Sequence, residues 1–218
     1  AIRLLLPLLP ALAASSAVAD GRAAGSRDQR LNVYRDNARA IPAITAGVIP
    51  EPVGSQAEYD ERILAPMYQA IAPQDPDGIL QHEWLNARGA IARFDRMAIE
   101  LRVLDTPECP LADLAIAALV SAVLQALYEE RPSPERAQAA VDTATLRAVY
   151  QRCVDRAETA PISEPALLAA LGQPGEPVTA GPLWQRPRAR HGLPAAPLEH
   201  IEREGTLASR LLAAAGDG

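Results

Sequence analysis

Residues 89–105 have the sequence GAIARFDRMAIELRVLD, and this stretch decides the fold. Apolar and polar residues alternate along its second half, which is typical of a β-strand with one buried face. Ile99 and Leu101 fall on one face of that strand, while Glu100 and Arg102 fall on the other. The pattern predicts a β-hairpin, and no other stretch of the sequence shows one as clearly.

The register of this hairpin follows from the separation of apolar and charged side chains. With a two-residue loop at Asp95-Arg96, the predicted partners are Phe94 and Met97, Arg93 and Ala98, and Ile91 and Glu100. One face is then apolar and comprises Ala90, Ala92, Phe94, Met97, Ile99, Leu101 and Val103. The opposite face carries Arg93, Glu100 and Arg102, together with Ile91 and Ala98. A shift of one residue would place Arg93 among the aliphatic side chains, so we expect the segregated register.

The polar face places Glu100 between the guanidinium groups of Arg93 and Arg102. Two interpretations are open from the residues alone. The face is a solvated network of ion pairs, or it is a site for anions and a hard cation. In the second case the carboxylate binds Mg²⁺ and the arginines bind a phosphate or a substrate carboxylate. Arg88 lies just before the hairpin and is a further candidate.

The charge of the chain limits the classes of function. Its 218 residues have a formal net charge of −6, which argues against nucleic-acid binding by a basic surface. All 21 basic residues are arginine, and the absence of lysine excludes P-loop chemistry and lysine Schiff bases. Arginine binds carboxylate and phosphate through its planar fork, so anionic ligands fit this composition.

Cysteine and histidine give no sign of a catalytic or zinc site. Cys109 and Cys153 are too few for a disulfide framework, and they form no CxxC motif. We therefore expect a reduced, cytoplasmic protein, and we interpret Cys109, which lies between two prolines, as structural. His82, His191 and His200 are scattered without the spacing of zinc ligands.

The rest of the chain is predicted to be mainly helical around an aliphatic core. We expect helices at residues 1–15, 29–39, 56–70, 111–130, 135–159, 163–168 and 198–214. We expect an extended loop at residues 41–54, which contain three prolines and two glycines, and a short extended piece at residues 79–85. The helix at 111–130 is apolar on nearly all sides, which predicts burial. Asp113 and Gln125 interrupt it, so we expect no membrane span.

Residues 1–19 also allow a different interpretation. Arg3 precedes an apolar run, and Ala17-Val18-Ala19 has the small residues of a signal-peptidase site. Under this hypothesis the protein is a noncatalytic, exported helical protein whose residues 1–19 are its signal. The alternative is that the same residues form an internal core helix.

Several segments resemble the bacterial glutamate–cysteine ligase and carboxylate–amine ligase family. The most specific resemblance lies in residues 82–116, where HEWLNARGAIARFDR is followed by AIELRVLD and then by ECPLADLAI. Residues 4–16, the IPEP motif at 49–52 and EGTLASRL at 204–211 are also similar to that family. The resemblance therefore covers nearly the whole chain, and it favours the internal-helix interpretation of residues 1–19.

The resemblance implies an α+β fold in which the hairpin at about 89–105 belongs to the C-terminal part of a glutamine synthetase-like antiparallel sheet, with predominantly helical surroundings. It implies ATP and Mg²⁺ as cofactors, and a reaction that proceeds through an acyl phosphate. By the same resemblance Glu100 is a metal ligand, and Arg93 and Arg102 are catalytic residues that contact phosphate or the substrate carboxylate. Arg88 is implied as a further substrate- or phosphate-binding residue.

The family's other metal carboxylates lie on strands of an N-terminal half, which this sequence does not include. We therefore expect residues 1–218 to be the C-terminal portion of one ligase catalytic domain, inactive in isolation. Residues 1–81 would supply helices and a loop, residues 82–105 the active-site hairpin, and residues 106–218 a helical C-terminal region.

The expected function is ATP-dependent ligation of the glutamate γ-carboxylate to the amine of cysteine, as in glutathione biosynthesis. A carboxylate–amine ligase acting on another amine or acid is the second hypothesis. The expected partners are the small molecules glutamate, cysteine and ATP, with no nucleic acid and no membrane. The sequence predicts no particular oligomeric state.

Overall fold

The apolar N-terminal segment lies in the centre of the protein. In the computed structural model, which describes residues 1–191 and 195–216, every residue from 4 to 14 is buried. Proline has no backbone N–H, so Pro7 and Pro10 divide the segment into short helical pieces. The expected buried helix at residues 1–15 is confirmed in this kinked form. Its burial is that of a core element, which favours the internal-helix interpretation over a signal.

Helices form most of the structure around this segment. The α-helices are α1 (Ile2–Leu5), α2 (Pro10–Ala13), α3 (Gln29–Asn37), α4 (Gln56–Tyr59), α5 (Ala65–Ile71), α6 (Pro110–Tyr128), α7 (Glu135–Ala139), α8 (Thr143–Arg156), α9 (Pro165–Ala170), α10 (Pro182–His191), α11 (Ala195–Glu204) and α12 (Leu207–Gly216). A π-helical turn, Asp60–Leu64, joins α4 to α5. Helices α2 and α8 pack on each other at the core, and α6 packs against α10 and α11.

The β-structure consists of small antiparallel pairs. Within the described residues, β1 (Val18–Ala19) pairs with β2 (Arg22–Ala23), β3 (Ala90–Arg93) with β4 (Ala98–Leu101), and β5 (Pro161–Ile162) with β6 (Val178–Thr179). The fold is therefore mixed and mainly helical, in agreement with the expected α+β class. The larger glutamine synthetase-like sheet is not seen in this part of the chain.

The β3–β4 hairpin has the predicted register. The observed pairs are Ala90 with Leu101, Ile91 with Glu100, Ala92 with Ile99, and Arg93 with Ala98. Its loop differs from the prediction of two residues, because residues 94–97 all lie between the strands. Phe94–Arg96 form a 3₁₀ turn, and Met97 follows with a φ of 50°. Two-residue hairpin loops favour Gly or Asn at positive φ, and Asp95-Arg96 does not supply that combination.

The apolar face of the hairpin is buried only at its base. Ala90 and Val103 are buried, whereas Ile99 is 51% exposed and Met97 is 94% exposed near the tip. Ile91 is fully buried although it lies on the face that carries the charges. Burial therefore follows distance from the core along the hairpin as well as the alternation of faces.

Two predicted helices are interrupted. The helix expected at 135–159 is divided into α7 and α8, since Asp142 caps α8 by accepting a hydrogen bond from the Thr145 backbone N–H. The helix expected at 198–214 is divided into α11 and α12 at Gly205, whose φ is 85°. Residues 79–85 are not an extended piece and end in the 3₁₀ turn Glu83–Leu85.

Helix α6 is less completely buried than its composition predicts. Leu111, Leu114 and Tyr128 are exposed on its outer side, while its inner side lies in the core. Among the described residues α6 is the one helix long and apolar enough to cross a membrane, and 44% of its most apolar window is buried in the fold. Core helices pass the same test, so its composition assigns no membrane location.

Candidate functional site

The three charged residues on the polar face of the hairpin are in direct contact. The Nε of Arg93 donates to Oε2 of Glu100 over 3.0 Å, and the Nε of Arg102 donates to Oε1 over 2.7 Å. This contact follows from the register, because Arg93 and Glu100 lie on the same face of neighbouring strands. The structure thus brings together the residues that the sequence predicts as one site.

The network continues into the segment that precedes the hairpin. Arg93 donates through Nη1 to Oε1 of Glu83 over 3.0 Å, and Arg102 donates through Nη1 to the carbonyl of Asn86 over 2.9 Å. Glu83, Arg93, Glu100 and Arg102 therefore alternate in charge along one surface, which we call the hairpin network. The sequence analysis did not assign Glu83 to the site, although Glu83 lies in the HEWLNARG motif next to the strand.

Electrostatics keep Glu100 ionised. Its hydrogen bond from Arg102 lowers the pKa of the Glu100 carboxyl, and the charge of Arg93 adds to the effect. Burial tends to lower the pKa of Arg102, but hydrogen bonds to Glu100 and Tyr34 outweigh it and raise that pKa. The side chains of Arg93, Arg102 and Glu100 are 17%, 25% and 37% exposed, so solvent and small solutes reach the network.

Arg88 lies beneath the network and not in it. Its guanidinium binds Glu51 through two hydrogen bonds, Nε to Oε2 at 2.6 Å and Nη2 to Oε1 at 2.8 Å. Its Nη1 donates to the carbonyl of Ala43 and to Oδ1 of Asn86. The Arg88 side chain is only 3% exposed, so this arginine holds the 41–54 loop against the start of the hairpin. Its predicted contact with a ligand stays a prediction.

Glu51 lies in the IPEP motif and is ionised by the same pairing. Burial raises the pKa of its carboxyl, but the hydrogen bonds and the charge of Arg88 outweigh that effect and lower it. The sequence analysis noted the motif without assigning Glu51 a role. Nothing local in the sequence indicates its partner, since Glu51 and Arg88 are 37 residues apart.

Tyr59 fixes strand β3 from the side. Its hydroxyl accepts hydrogen bonds from Nδ2 of Asn86 at 2.8 Å and from the backbone N–H of Ala92 at 3.2 Å. Its ring packs edge-on against Phe94, with ring centroids 5.4 Å apart. These contacts of Tyr59 fix the position of β3, the strand that carries Arg93 of the hairpin network. Tyr59 lies in the helix predicted at residues 56–70 and was not among the predicted site residues.

A comparison with protein families gives this site its context. The model of glutamate–cysteine ligase family 2 matches residues 1–215. The chain belongs to glutamate–cysteine ligase family 2. The expected resemblance is thereby confirmed, and the match includes both the hairpin network and the buried N-terminal segment. A ligase-type function is the coarse assignment that membership in this family supports.

A protein from Archaeoglobus fulgidus, named only as uncharacterized, is similar to this family member. The two are 39% identical over 131 residues, which is 60% of this chain and 35% of the relative. The matched part thus spans about a third of that relative's length. No solved structure matches the chain.

The described residues of this family member offer few ligands for a metal ion. Mg²⁺ requires octahedral oxygen coordination, completed by carboxylates, water and phosphate oxygens. Within the described ranges, no group of three or more His, Cys, Asp or Glu residues is placed to hold a metal ion. Glu100 offers a single carboxylate, and both of its oxygens accept hydrogen bonds from arginine. These residues fit one ligand position of a Mg²⁺–phosphate site but do not form a complete site.

The two cysteines of this family member differ in their surroundings. Both are free thiols; Cys109 is exposed, and Cys153 is buried. Burial raises the pKa of the Cys153 thiol to about 12, which keeps it protonated and unreactive. This environment is that of a structural residue, whereas Cys109, the cysteine predicted to be structural, is exposed.

Proposed function

We propose that this chain carries part of the active site of an ATP- and Mg²⁺-dependent carboxylate–amine ligase, and that its reaction joins the γ-carboxylate of glutamate to the amine of cysteine. The observation that carries the proposal is the solvent-accessible carboxylate of Glu100 held between Arg93 and Arg102 in a member of glutamate–cysteine ligase family 2. The glutathione-type substrates come from the family description and from the resemblance.

The proposed reaction has two steps. A carboxylate oxygen of glutamate attacks the γ-phosphorus of ATP, ADP leaves, and an acyl phosphate results. The amine nitrogen of cysteine then attacks the acyl carbon, phosphate leaves, and the nitrogen loses a proton to give the amide. Mg²⁺, when bound, would neutralise phosphate oxygens, with Glu100 as one of its ligands.

Arg93 and Arg102 have the chemistry to stabilise the transferring phosphoryl group. Each guanidinium has N–H groups besides those that bind Glu100, and planar guanidinium forks bind phosphate oxygens well. Their charges are balanced by Glu83 and Glu100. A bound phosphate would offer Arg93 and Arg102 an alternative partner, and we propose that these arginines then turn from the carboxylates to the substrate.

Arg88 and Glu51 would act on the site indirectly. Their buried pairing fixes the 41–54 loop beside the hairpin, which restrains the segment that carries Asn86. Since Asn86 accepts a hydrogen bond from Arg102 through its carbonyl, the loop pairing supports the position of that arginine. We therefore assign Arg88 a positioning role in the proposed site.

We further propose that β3 and β4 belong to a larger, glutamine synthetase-like antiparallel sheet. The exposure of Ile99 on the apolar face of β4 supports this proposal, because a sheet surface of that kind is normally covered. The remaining metal ligands would then come from residues beyond those described. A cytoplasmic location is part of the same proposal, and the two free thiols agree with a reducing compartment. The proposal includes no membrane and no nucleic-acid partner.

The test is a product assay with the complete polypeptide that contains this chain. Glutamate, ATP and Mg²⁺ are supplied with cysteine or with a panel of other amines, and ADP and the ligated product are measured by mass spectrometry. We expect γ-glutamylcysteine and ADP in equal amounts, and only when ATP and both substrates are present. A product with a different amine or acid would favour the second ligase hypothesis, and no ATP-dependent product with any pair would refute ligase function.

A further inference from the structure

Four buried polar atoms behind the exit of β4 have no hydrogen-bond partner within the described residues. They are Oδ2 of Asp28, Nη2 of Arg30, Oδ2 of Asp105 and the hydroxyl of Tyr150. Asp28 is 0% exposed and Tyr150 is 2% exposed, and the side chain of Asp105 is 10% exposed. Buried polar groups in folded proteins nearly always have a partner, so four without one indicate a ligand.

Hydrogen bonds connect three of these residues. Arg30 donates through Nε to Oδ1 of Asp105 over 3.1 Å. The hydroxyl of Ser16 accepts from the backbone N–H of Arg30 over 3.1 Å and donates to Oδ1 of Asp28 over 3.2 Å. The second oxygen of each carboxylate is thus left without a hydrogen-bond partner among the described residues.

Tyr150 belongs to the same cluster. The backbone N–H of Asp28 donates to the carbonyl of Val154 over 2.9 Å, and Val154 lies one helical turn after Tyr150 on α8. Burial raises the pKa of the Tyr150 hydroxyl, and the charges of Asp28 and Arg30 also act on it. Tyr150 lies on α8, Arg30 lies on α3, and Asp105 follows β4. The cluster therefore joins two helices to the end of the hairpin that carries Arg102.

The donors and acceptors of the cluster define its ligand. Two carboxylate oxygens accept hydrogen bonds, the guanidinium Nη2 donates, and the phenol hydroxyl donates or accepts. A cation is disfavoured because a guanidinium N–H takes part in the site, and an anion is disfavoured by two carboxylates. A water molecule donates twice and accepts twice, which matches these four groups.

We propose that Asp28, Arg30, Asp105 and Tyr150 form a binding site for a buried water molecule, which links α3 and α8 to the end of the hairpin. Arg30 also donates through Nη1 to the carbonyl of Arg102 over 3.3 Å, so the hydrated cluster supports the strand that holds this residue. The site is independent of the ligase reaction and forms in the chain whether or not that reaction occurs.

A high-resolution crystal structure of the complete polypeptide that contains this chain tests the site directly. We expect a density peak within about 2.6–3.2 Å of at least three of the four atoms, which is hydrogen-bond distance. Crystals soaked in a thallium(I) salt should show no anomalous signal there. A thallium peak would identify a monovalent-cation site, and a map without a peak would leave the atoms unpaired; either result overturns the water assignment.

The variant Tyr150→Phe gives a second test in solution. If the hydroxyl binds water, its loss lowers the melting temperature by about 2–4 °C. If the hydroxyl has no partner at all, replacement by Phe relieves an unpaired buried group and leaves the melting temperature unchanged or higher, which would contradict the proposal. Tyr128→Phe is the matched control, because the Tyr128 side chain is exposed and its hydroxyl is already in bulk water.

Discussion

The guanidinium of Arg88 and the carboxylate of Glu51 form a two-pronged ion pair at 2.6 and 2.8 Å, with the Arg88 side chain almost fully buried. This pair joins the IPEP loop to the start of the hairpin. The two segments belong to no common helix or sheet. The hairpin network therefore depends on a loop whose own backbone forms neither helix nor strand.

Removal of Arg88 should destabilise the protein strongly. We expect Arg88→Ala to lower the free energy of unfolding by about 3–5 kcal/mol, because it leaves the Glu51 charge partly buried and unpaired. Urea unfolding followed by circular dichroism measures the change. Arg203→Ala is the control, since Arg203 pairs with Glu204 on the surface and its loss should cost less than about 1 kcal/mol. Equal effects of the two changes would refute the structural role of Arg88.

The carboxyl of Asp28 should make stability depend on pH. Burial, and then the charge of Asp105, raise its pKa in the folded protein to about 6. An unfolded Asp has a pKa of about 3.9, so between pH 4 and pH 6 the folded state binds more protons than the unfolded state. This carboxyl therefore makes the free energy of unfolding fall as pH rises through that interval.

The asparagine in Asp28→Asn cannot ionise, so the free energy of unfolding of this variant should not fall for this reason as pH rises from 4 to 6. Relative to the unchanged protein, the variant should gain about 2–3 kcal/mol between pH 4 and pH 6, measured by urea unfolding at several pH values. The pKa values of the Glu51 and Glu100 carboxyls are lowered, so their contribution to the free energy of unfolding is lost as pH falls and not as it rises. Both residues are present in the variant and in the parent, so this contribution cancels in the comparison. Asp95→Asn, at the exposed hairpin tip, serves as the control. A pH-independent difference between Asp28→Asn and the parent would contradict the assigned pKa.

The hairpin loop should be improved by glycine at one position. Met97 has a φ of 50° and is 94% exposed, so it bears the strain of a left-handed backbone without contributing burial. We expect Met97→Gly to raise the free energy of unfolding by about 0.5–1 kcal/mol. Ala98→Gly, one residue later and inside β4, should instead lower it by a similar amount, and thermal unfolding distinguishes the two. A loss of stability in both variants would rule out the four-residue loop.

Local patterns were sufficient to predict that Arg93, Glu100 and Arg102 lie together. Apolar and charged residues separate cleanly in only one register of residues 89–105, and that register alone places Arg93 beside Glu100. The buried N-terminal segment was predictable for the same reason, because its leucines follow helical spacing. In both cases the determining interactions lie within a few residues of one another.

Long-range contacts were not predictable. Tyr59, Glu51 and Arg30 reach the hairpin from segments distant in sequence, and no periodic pattern indicates their partners. Some helix boundaries were missed despite local signals. Gly205 ends α11 and Asp142 begins α8, but the apolar pattern continues across both positions and suggests unbroken helices.

The most direct test of the account is the activity of Glu100→Gln in the complete polypeptide that contains this chain. Glutamine keeps the size of the side chain but removes the charge that would bind metal and pair with both arginines. ATP-dependent formation of the γ-glutamyl product should fall about 100-fold or more, whereas Asp95→Asn on the same hairpin should retain the parent rate. An active Glu100→Gln protein, with the rate of its parent, would contradict the assignment of the hairpin network to the active site.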